Sequence, residues 1–183
     1  MRIGLIAATA SLALLAACNQ NDSAAPKVAA NTANTGAPAG NLQPRINLGP
    51  VDKAKAAAVM HERHEGMETI GKTTKAIHRE FDASKPDMAA IKAASAKIAD
   101  LSVKASNWFQ AGTGPDIGKT GAKPEIWQHP DDFTAKLTAF QRAAKTFASV
   151  SAGGDAAAAK AAYGDLGKTC KACHDTYRSE MHH

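Results

Sequence analysis

The sequence predicts an all-α fold, an antiparallel four-helix bundle. Alanine supplies 41 of the 183 residues, and alanine is the best helix former but a poor strand residue. Four segments between residues 52 and 177 repeat apolar side chains at intervals of three and four residues, the spacing of a helix that buries one face. Two of the three connections between these segments are short, as expected for antiparallel neighbours.

The first two helices are predicted from their apolar seams. The first covers residues 52–82, and the second runs from a cap at Ser84, with Asp87 three residues later, to about Gln110. The seam of the first helix consists of Met60, Met67, Ile70, Ile77 and Phe81, with Arg63 and Thr74 as polar members. The expected inward residues of the second helix are Met88, Ile91, Ile98, Leu101, Ala105 and Trp108.

A long connection separates the second helix from the third. Residues 111–129 contain four Gly and two Pro, which break the helical pattern, and Ile126 and Trp127 are expected to anchor this stretch to the bundle. The third helix is predicted to begin at Pro130, since proline is tolerated in a first turn and the two aspartates after it suit the positive helix end. Its seam consists of Phe133, Leu137, Phe140, Ala144 and Phe147.

The fourth helix carries two cysteines at core-facing positions. Gly153 and Gly154 are expected to end the third helix, and Asp155 is expected to cap the fourth. The fourth seam consists of Ala159, Tyr163, Leu166, Cys170, Cys173 and Tyr177. Both cysteines are thus expected to face the interior of the bundle.

The spacing Cys170-x-x-Cys173-His174 is typical of covalent haem c attachment. Residues three apart on a helix share a face, so both thiols could reach the two vinyl groups of one porphyrin. His174 follows directly and is placed to ligate the iron. A porphyrin inside the bundle would also explain why large apolar side chains are few for a domain of this length.

Three other uses of the two cysteines are less consistent with the sequence. A structural zinc site would need further Cys or His ligands, and the preceding cysteine is Cys18. A thioredoxin-like dithiol belongs in a βαβ context, which this sequence does not predict. A disulfide across two residues of one helix closes almost no loop and so stabilises little. One covalent haem c is therefore the expected cofactor.

With these motifs, the sequence resembles the class II c-type cytochromes, the cytochrome c′ family, over residues 52–183. The resemblance rests on residues 169–178 around the haem motif, on Ile126-Trp127 before a helix that starts with proline, and on Arg63 in the first helix. It implies an antiparallel bundle that encloses one covalently attached haem, and it implies that Arg63 lies near the haem propionates.

The resemblance also implies that the position four residues after Arg63, here Met67, lies across the iron from His174. A methionine there resembles the low-spin branch, with Met and His ligands and an electron-transfer role. Leucine or phenylalanine there would imply a five-coordinate iron that binds NO or CO, and gas capture or sensing is therefore the alternative function. Two other interpretations stay open: Met67 as a core residue packed on the porphyrin, and His64 as a rival ligand.

Four basic residues are expected around the haem site. Arg63, on an apolar seam, would be costly to bury unpaired, and the alternative to a propionate partner is an ion pair with a nearby glutamate. Arg178, one turn after His174, is expected on the proximal side, where it covers the ring, tunes the histidine or is solvated. Lys168 and Lys171 join Arg178 in a predicted basic patch for an acidic redox partner, with ordinary surface lysines as the alternative.

The N-terminal region is predicted to be an export signal and a tether. Residues 1–17 combine a positive start at Arg2 with an apolar stretch too short to span a bilayer. The tetrapeptide Leu-Ala-Ala-Cys at 15–18 resembles a lipoprotein cleavage box and implies lipidation of Cys18, with an ordinary secretory signal as the alternative. Residues 18–50 read as a flexible tether, and 51–183 as the bundle domain.

Charge and motifs narrow the functional classes. The formal net charge of +5 would suit nucleic acid, but residues outside 51–183 carry part of it and two haem propionates would offset more. Paired carboxylates, a nucleophile elbow and a glycine-rich phosphate loop are not recognisable, so an enzyme is not expected. We expect a periplasmic monohaem electron carrier, anchored to a membrane by lipid, that meets redox partner proteins. Whether it is a monomer or a homodimer stays open at this point.

Overall fold

This computed structural model describes residues 45–180, which contain five α-helices and one 3-10 turn. The helices are α1 (Lys53–Asp82), α2 (Met88–Lys104), α3 (Glu125–Gln128), α4 (Pro130–Ala152) and α5 (Ala156–Tyr177), and the 3-10 turn is Ala105–Asn107. Within the described range there is no strand, only two isolated bridges, which confirms the all-α prediction. The predicted export signal, Cys18 and most of the tether lie outside the described residues.

Aspartate side chains cap three of the four long helices. Asp52 accepts a hydrogen bond from the Ala54 amide at 3.0 Å, and Asp155 caps α5 as predicted. The predicted cap at Ser84 is wrong: Asp87 accepts from the amides of Ala89 and Ala90 and begins α2 at Met88. The residue before Pro86 is biased away from helix, so the first turn cannot start at Ser84.

Helix α2 ends earlier than the predicted boundary near Gln110. Its last turn tightens into the 3-10 turn, which directs Trp108 into the core. The side-chain amide of Gln141, on α4, donates to the Ser102 carbonyl at 3.0 Å and to Ser106 Oγ at 2.8 Å. Because Gln141 bonds a carbonyl that a continuing helix would use, the end of α2 depends on a residue far away in the chain.

The core lies between the four long helices, with α4 packed against both α2 and α5. All five predicted seam residues of α4 are buried. The largest fully buried side chains include Ile77, Ile91, Ile98, Trp108, Ile126, Phe133, Phe147 and Leu166. Each such side chain contributes about 1.5–3 kcal/mol of burial free energy.

The connection before α4 is anchored as predicted. Ile126 is buried, and the indole N–H of Trp127 donates to the Phe109 carbonyl at 2.9 Å. Helices long and apolar enough to cross a bilayer are absent from residues 45–180.

Candidate haem site

The two cysteines lie on one face of α5, half-buried against the core and not bonded to each other. Burial raises the pKa of the Cys170 thiol, and burial, more than the charges nearby, raises the pKa of Cys173 to about 11. Both groups are therefore neutral thiols at neutral pH. A thioredoxin-like dithiol would need a lowered thiol pKa, so the structure gives no support to that alternative.

His174 follows Cys173 and lies beside a cleft of about 730 Å³. Partial loss of water contact lowers the pKa of its imidazole, the charge of Arg178 lowers it further, and Asp175 opposes both. A neutral imidazole is the form that ligates metal. The rest of the cleft is lined by Lys123, Asp175, Arg178, Ser179 and Glu180. Neither cysteine lines it, so this cleft is only a flank of the candidate site.

Helices α1 and α5 run antiparallel, and their contacts fix the register between them. The Tyr163 hydroxyl donates to the Thr74 carbonyl at 3.0 Å, and Lys160 Nζ lies 3.3 Å from the Phe81 carbonyl oxygen. Seven residues further along α5 is Cys170, and seven residues back along α1 is Met67. Because both helices rise by the same amount per residue, the first contact places Met67 level with Cys170 and the second places Gly71 there, so Met67 lies within about one turn of the level of Cys170.

The contact between Tyr163 and Thr74 places Arg63 level with His174. Ile70 and Leu166, one turn nearer the contacts, are 7% and 1% exposed, whereas Met67, Cys170 and Cys173 are only half-buried. Seam positions that stay incompletely covered leave room for a flat apolar group. The two thiols, the adjacent imidazole and this partly covered level of the seam therefore fit a haem c.

Arg63 is buried, and its guanidinium binds the connection that follows α2. Its terminal nitrogens donate to the Trp108 carbonyl, the Thr113 hydroxyl and carbonyl, and the Thr120 hydroxyl at 2.8–3.0 Å. The Cζ atom also lies 5.4 Å from the centroid of the Phe109 ring. Burial lowers the pKa of Arg63 to about 10, so the group stays charged at neutral pH. This structural role of Arg63 was not predicted from the sequence.

Gly66, next to Met67, lies directly under Trp108. A Cβ atom built on Gly66 would lie 2.1 Å from Trp108 Cη2. The Trp108 indole N–H donates to Glu62 Oε1 at 3.2 Å, on the turn before Gly66. The sequence signal for this contact was a glycine in the middle of a predicted helix, where it needs a packing reason.

Arg178 lies beside His174, while the other members of the basic patch are paired. The backbone N–H of Arg178 donates to the His174 carbonyl, and Arg178 lines the same cleft. Lys168 binds Asp165 at 2.8 Å, and Lys171 binds Asp175 at 2.6 Å. The local positive charge is thus smaller than the sequence suggests.

His64, the rival iron ligand, is exposed on α1 and groups with two glutamates rather than with the seam. The structure therefore gives no support to His64 as the second axial ligand.

Comparison with known proteins agrees with this geometry. The family model described as Cytochrome C' matches residues 58–178. The cytochrome c′ of Allochromatium vinosum is 35% identical over 144 residues, which are 73% of this chain and 91% of that protein. The chain belongs to the cytochrome c′ family. Proteins of this family bind one covalent haem c, which confirms the predicted family, fold and cofactor.

Solved cytochromes c′ share the bundle over nearly their whole length. An atomic structure of a cytochrome c′ with an unusual ligand-controlled dimer dissociation superposes with a TM-score of 0.63 at 30% identity, covering 72% of this chain and all of the other. The nitric oxide complex of a leucine-to-alanine mutant of the Alcaligenes xylosoxidans protein also has a TM-score of 0.63 at 30% identity. That match covers 70% of this chain and 98% of the other.

Proposed function

We propose that the protein binds a small diatomic gas, such as nitric oxide, at the iron of a single haem c held by α5. The observation that carries this proposal is the nitric oxide complex of a leucine-to-alanine mutant of a relative, which is 30% identical and almost fully covered by the match. The comparisons thus support the gas-binding alternative more strongly than the electron-transfer function that the sequence favoured.

The chain's own residues suit this role. Cys170 and Cys173 would hold the haem through thioethers on one face of α5, and His174 would be the protein ligand of the iron. When bound, the haem would supply an iron that takes a neutral diatomic ligand. Met67, within about one turn of the level of Cys170 on the facing helix, would line the opposite side with an apolar thioether and so help to exclude water.

Arg63 stabilises the surroundings of the site through the connection that follows α2. Its buried guanidinium fixes the segment from Trp108 to Thr120 against α1, and Trp108 in turn covers Gly66, the neighbour of Met67. A haem propionate remains a further proposed partner of Arg63. The position of Met67 is thus set by a packed and hydrogen-bonded unit, which keeps the distal side in one arrangement.

Titration of the reduced, haem-loaded protein with nitric oxide tests the proposal. The electron paramagnetic resonance of the paramagnetic product measures binding. We expect this signal to saturate at one molecule of nitric oxide per haem. A reduced protein whose resonance stays silent with excess nitric oxide would contradict gas binding. The Met67→Leu variant, which keeps an apolar distal side chain, should also saturate at one per haem.

Electron transfer is the second candidate, and the presence of Met67 at this register favours it. A methionine thioether is a soft axial ligand that raises haem potential. If Met67 ligates the iron, the protein would carry single electrons between redox partners, with the side around Arg178 as the docking region. A fall in reduction potential in Met67→Leu would support this candidate, and an unchanged potential would exclude Met67 as a ligand.

Location and assembly extend the proposal. We propose a periplasmic protein that is anchored through lipid on Cys18 and has no catalytic turnover. Similarity to a cytochrome c′ with ligand-controlled dimer dissociation supports a homodimer in this chain too. Mass spectrometry of the mature N-terminus in its native host tests the anchor: an unmodified N-terminus at or after residue 18 would contradict it.

A further inference from the structure

We propose that His64, Glu65 and Glu68 on the outer face of α1 form a binding site for a divalent transition-metal ion such as Zn²⁺. One ligand atom from each side chain, an imidazole nitrogen and two carboxylate oxygens, can be chosen so that all three lie within 4.8 Å of one another. The three side chains are exposed and stand apart from the candidate haem site on the seam.

The donor set identifies the class of ion. A donor set of imidazole and carboxylate suits zinc, copper and nickel, whereas calcium and magnesium prefer oxygen ligands alone. Zinc binds its ligands tetrahedrally with bonds of about 2.0–2.2 Å, which places two ligand atoms about 3.4 Å apart. The three chosen ligand atoms lie within 4.8 Å of one another, and rotations of the exposed side chains would bring them to the tetrahedral separation. Water would complete the coordination.

The convergence of these three groups is not automatic on a helix. Adjacent residues such as His64 and Glu65 do not normally face each other, and like charges one turn apart, as in Glu65 and Glu68, repel. A cation between the carboxylates would remove that repulsion.

The ammonium group of Lys72 already lies against this cluster. Lys72 Nζ is 2.7 Å from Glu68 Oε1. The hydrogen bond to Glu68 and the charge of Glu68 raise the pKa of Lys72, and the charge of Glu65 adds to this effect. A divalent ion would displace an exposed ammonium group, which is weakly held in water.

Calorimetric titration of the full-length, haem-loaded protein with ZnCl₂ tests the site. We expect one saturable site whose Kd rises at least about tenfold in His64→Ala and in Glu65→Gln, since loss of even an outer-shell partner costs about 10–100-fold. The matched control is His78→Ala on the same helix, where the imidazole Nδ1 lies 2.6 Å from a single carboxylate, Asp82. This control should leave the Kd unchanged.

Three outcomes would overturn the assignment. The first is equal zinc affinity in the wild type and His64→Ala. The second is an equal loss in His64→Ala and His78→Ala, which would indicate general binding by histidines. The third is a changed haem absorption spectrum in His64→Ala, because that result would return His64 to the iron.

Discussion

The indole of Trp108 lies on Gly66 so closely that a Cβ atom at residue 66 would come within 2.1 Å of Trp108 Cη2. This contact joins the turn after α2 to the part of α1 that carries Met67. It also brings the Trp108 carbonyl to Arg63, at 3.0 Å. The packing of this part of α1 therefore depends on the absence of a single methyl group at residue 66.

Gly66→Ala should destabilise the protein although alanine is the better helix former. Trp108 or the helix backbone would have to shift, and overpacking of this kind costs about 1–3 kcal/mol. Gly71 is a matched control, because it is exposed on the same helix and a Cβ there meets nothing within 4 Å. Gly71→Ala should stabilise by up to about 1 kcal/mol. Urea unfolding measures both, and equal effects of the two substitutions would refute the account of the contact.

Arg63→Lys should be far from conservative. Lysine keeps the charge but cannot reproduce the planar fork that bonds Trp108, Thr113 and Thr120, so buried acceptors lose their partners. We expect a loss of about 2–4 kcal/mol in the free energy of unfolding, from more than one acceptor at about 1–3 kcal/mol each. Arg142→Lys, at an exposed position of α4, should be close to neutral. Full stability in Arg63→Lys would mean that charge alone is needed.

Tyr177→Phe should cost stability and change its pH dependence. The buried hydroxyl donates to Asp132 Oδ2 at 2.6 Å, a charge-assisted bond worth about 1.5–3 kcal/mol. Burial, then the bond to Asp132, raises the pKa of Tyr177 from 10.0 to about 12. The folded state therefore holds this proton more tightly, so its contribution is complete below pH 10 and is lost as pH rises toward 12. An equal difference in the free energy of unfolding between the wild type and Tyr177→Phe at pH 8 and at pH 11.5 would contradict this.

Covalent attachment predicts how haem behaves on denaturation. In the wild type, haem should stay with the denatured chain on a gel, and the double variant Cys170→Ala/Cys173→Ala should lose it. A single variant keeps one thioether and should retain haem. Haem-stained gels and the mass of the intact chain measure this. Retained haem in the double variant would place the attachment elsewhere.

Much of the fold could be predicted because its signals are local. The seam of α4, its start at Pro130 and the cap at Asp155 each depend on residues within a few positions. The start of α2 was misplaced because Ser84 and Asp87 are both good caps, and the effect of Pro86 decides between them.

Contacts between distant segments were beyond the sequence patterns. The partners of Arg63 lie 45 to 57 residues away, and Gln141 sets the end of α2 from a distance of 39 residues. Spacing shows that Arg63 faces the interior but not which part of a glycine-rich connection it meets. For the same reason the packing of Gly66 under Trp108 was not foreseen, although a glycine within a helix marked the place.

The absorption spectrum of the reduced protein before and after carbon monoxide tests the central claim most directly. An axial position open to a gas predicts a high-spin spectrum that shifts promptly on addition of carbon monoxide, with Met67→Leu behaving in the same way. A low-spin, six-coordinate spectrum that carbon monoxide leaves unchanged would contradict gas binding. If Met67→Ala then restored the carbon monoxide response, Met67 would be the second ligand and electron transfer the function.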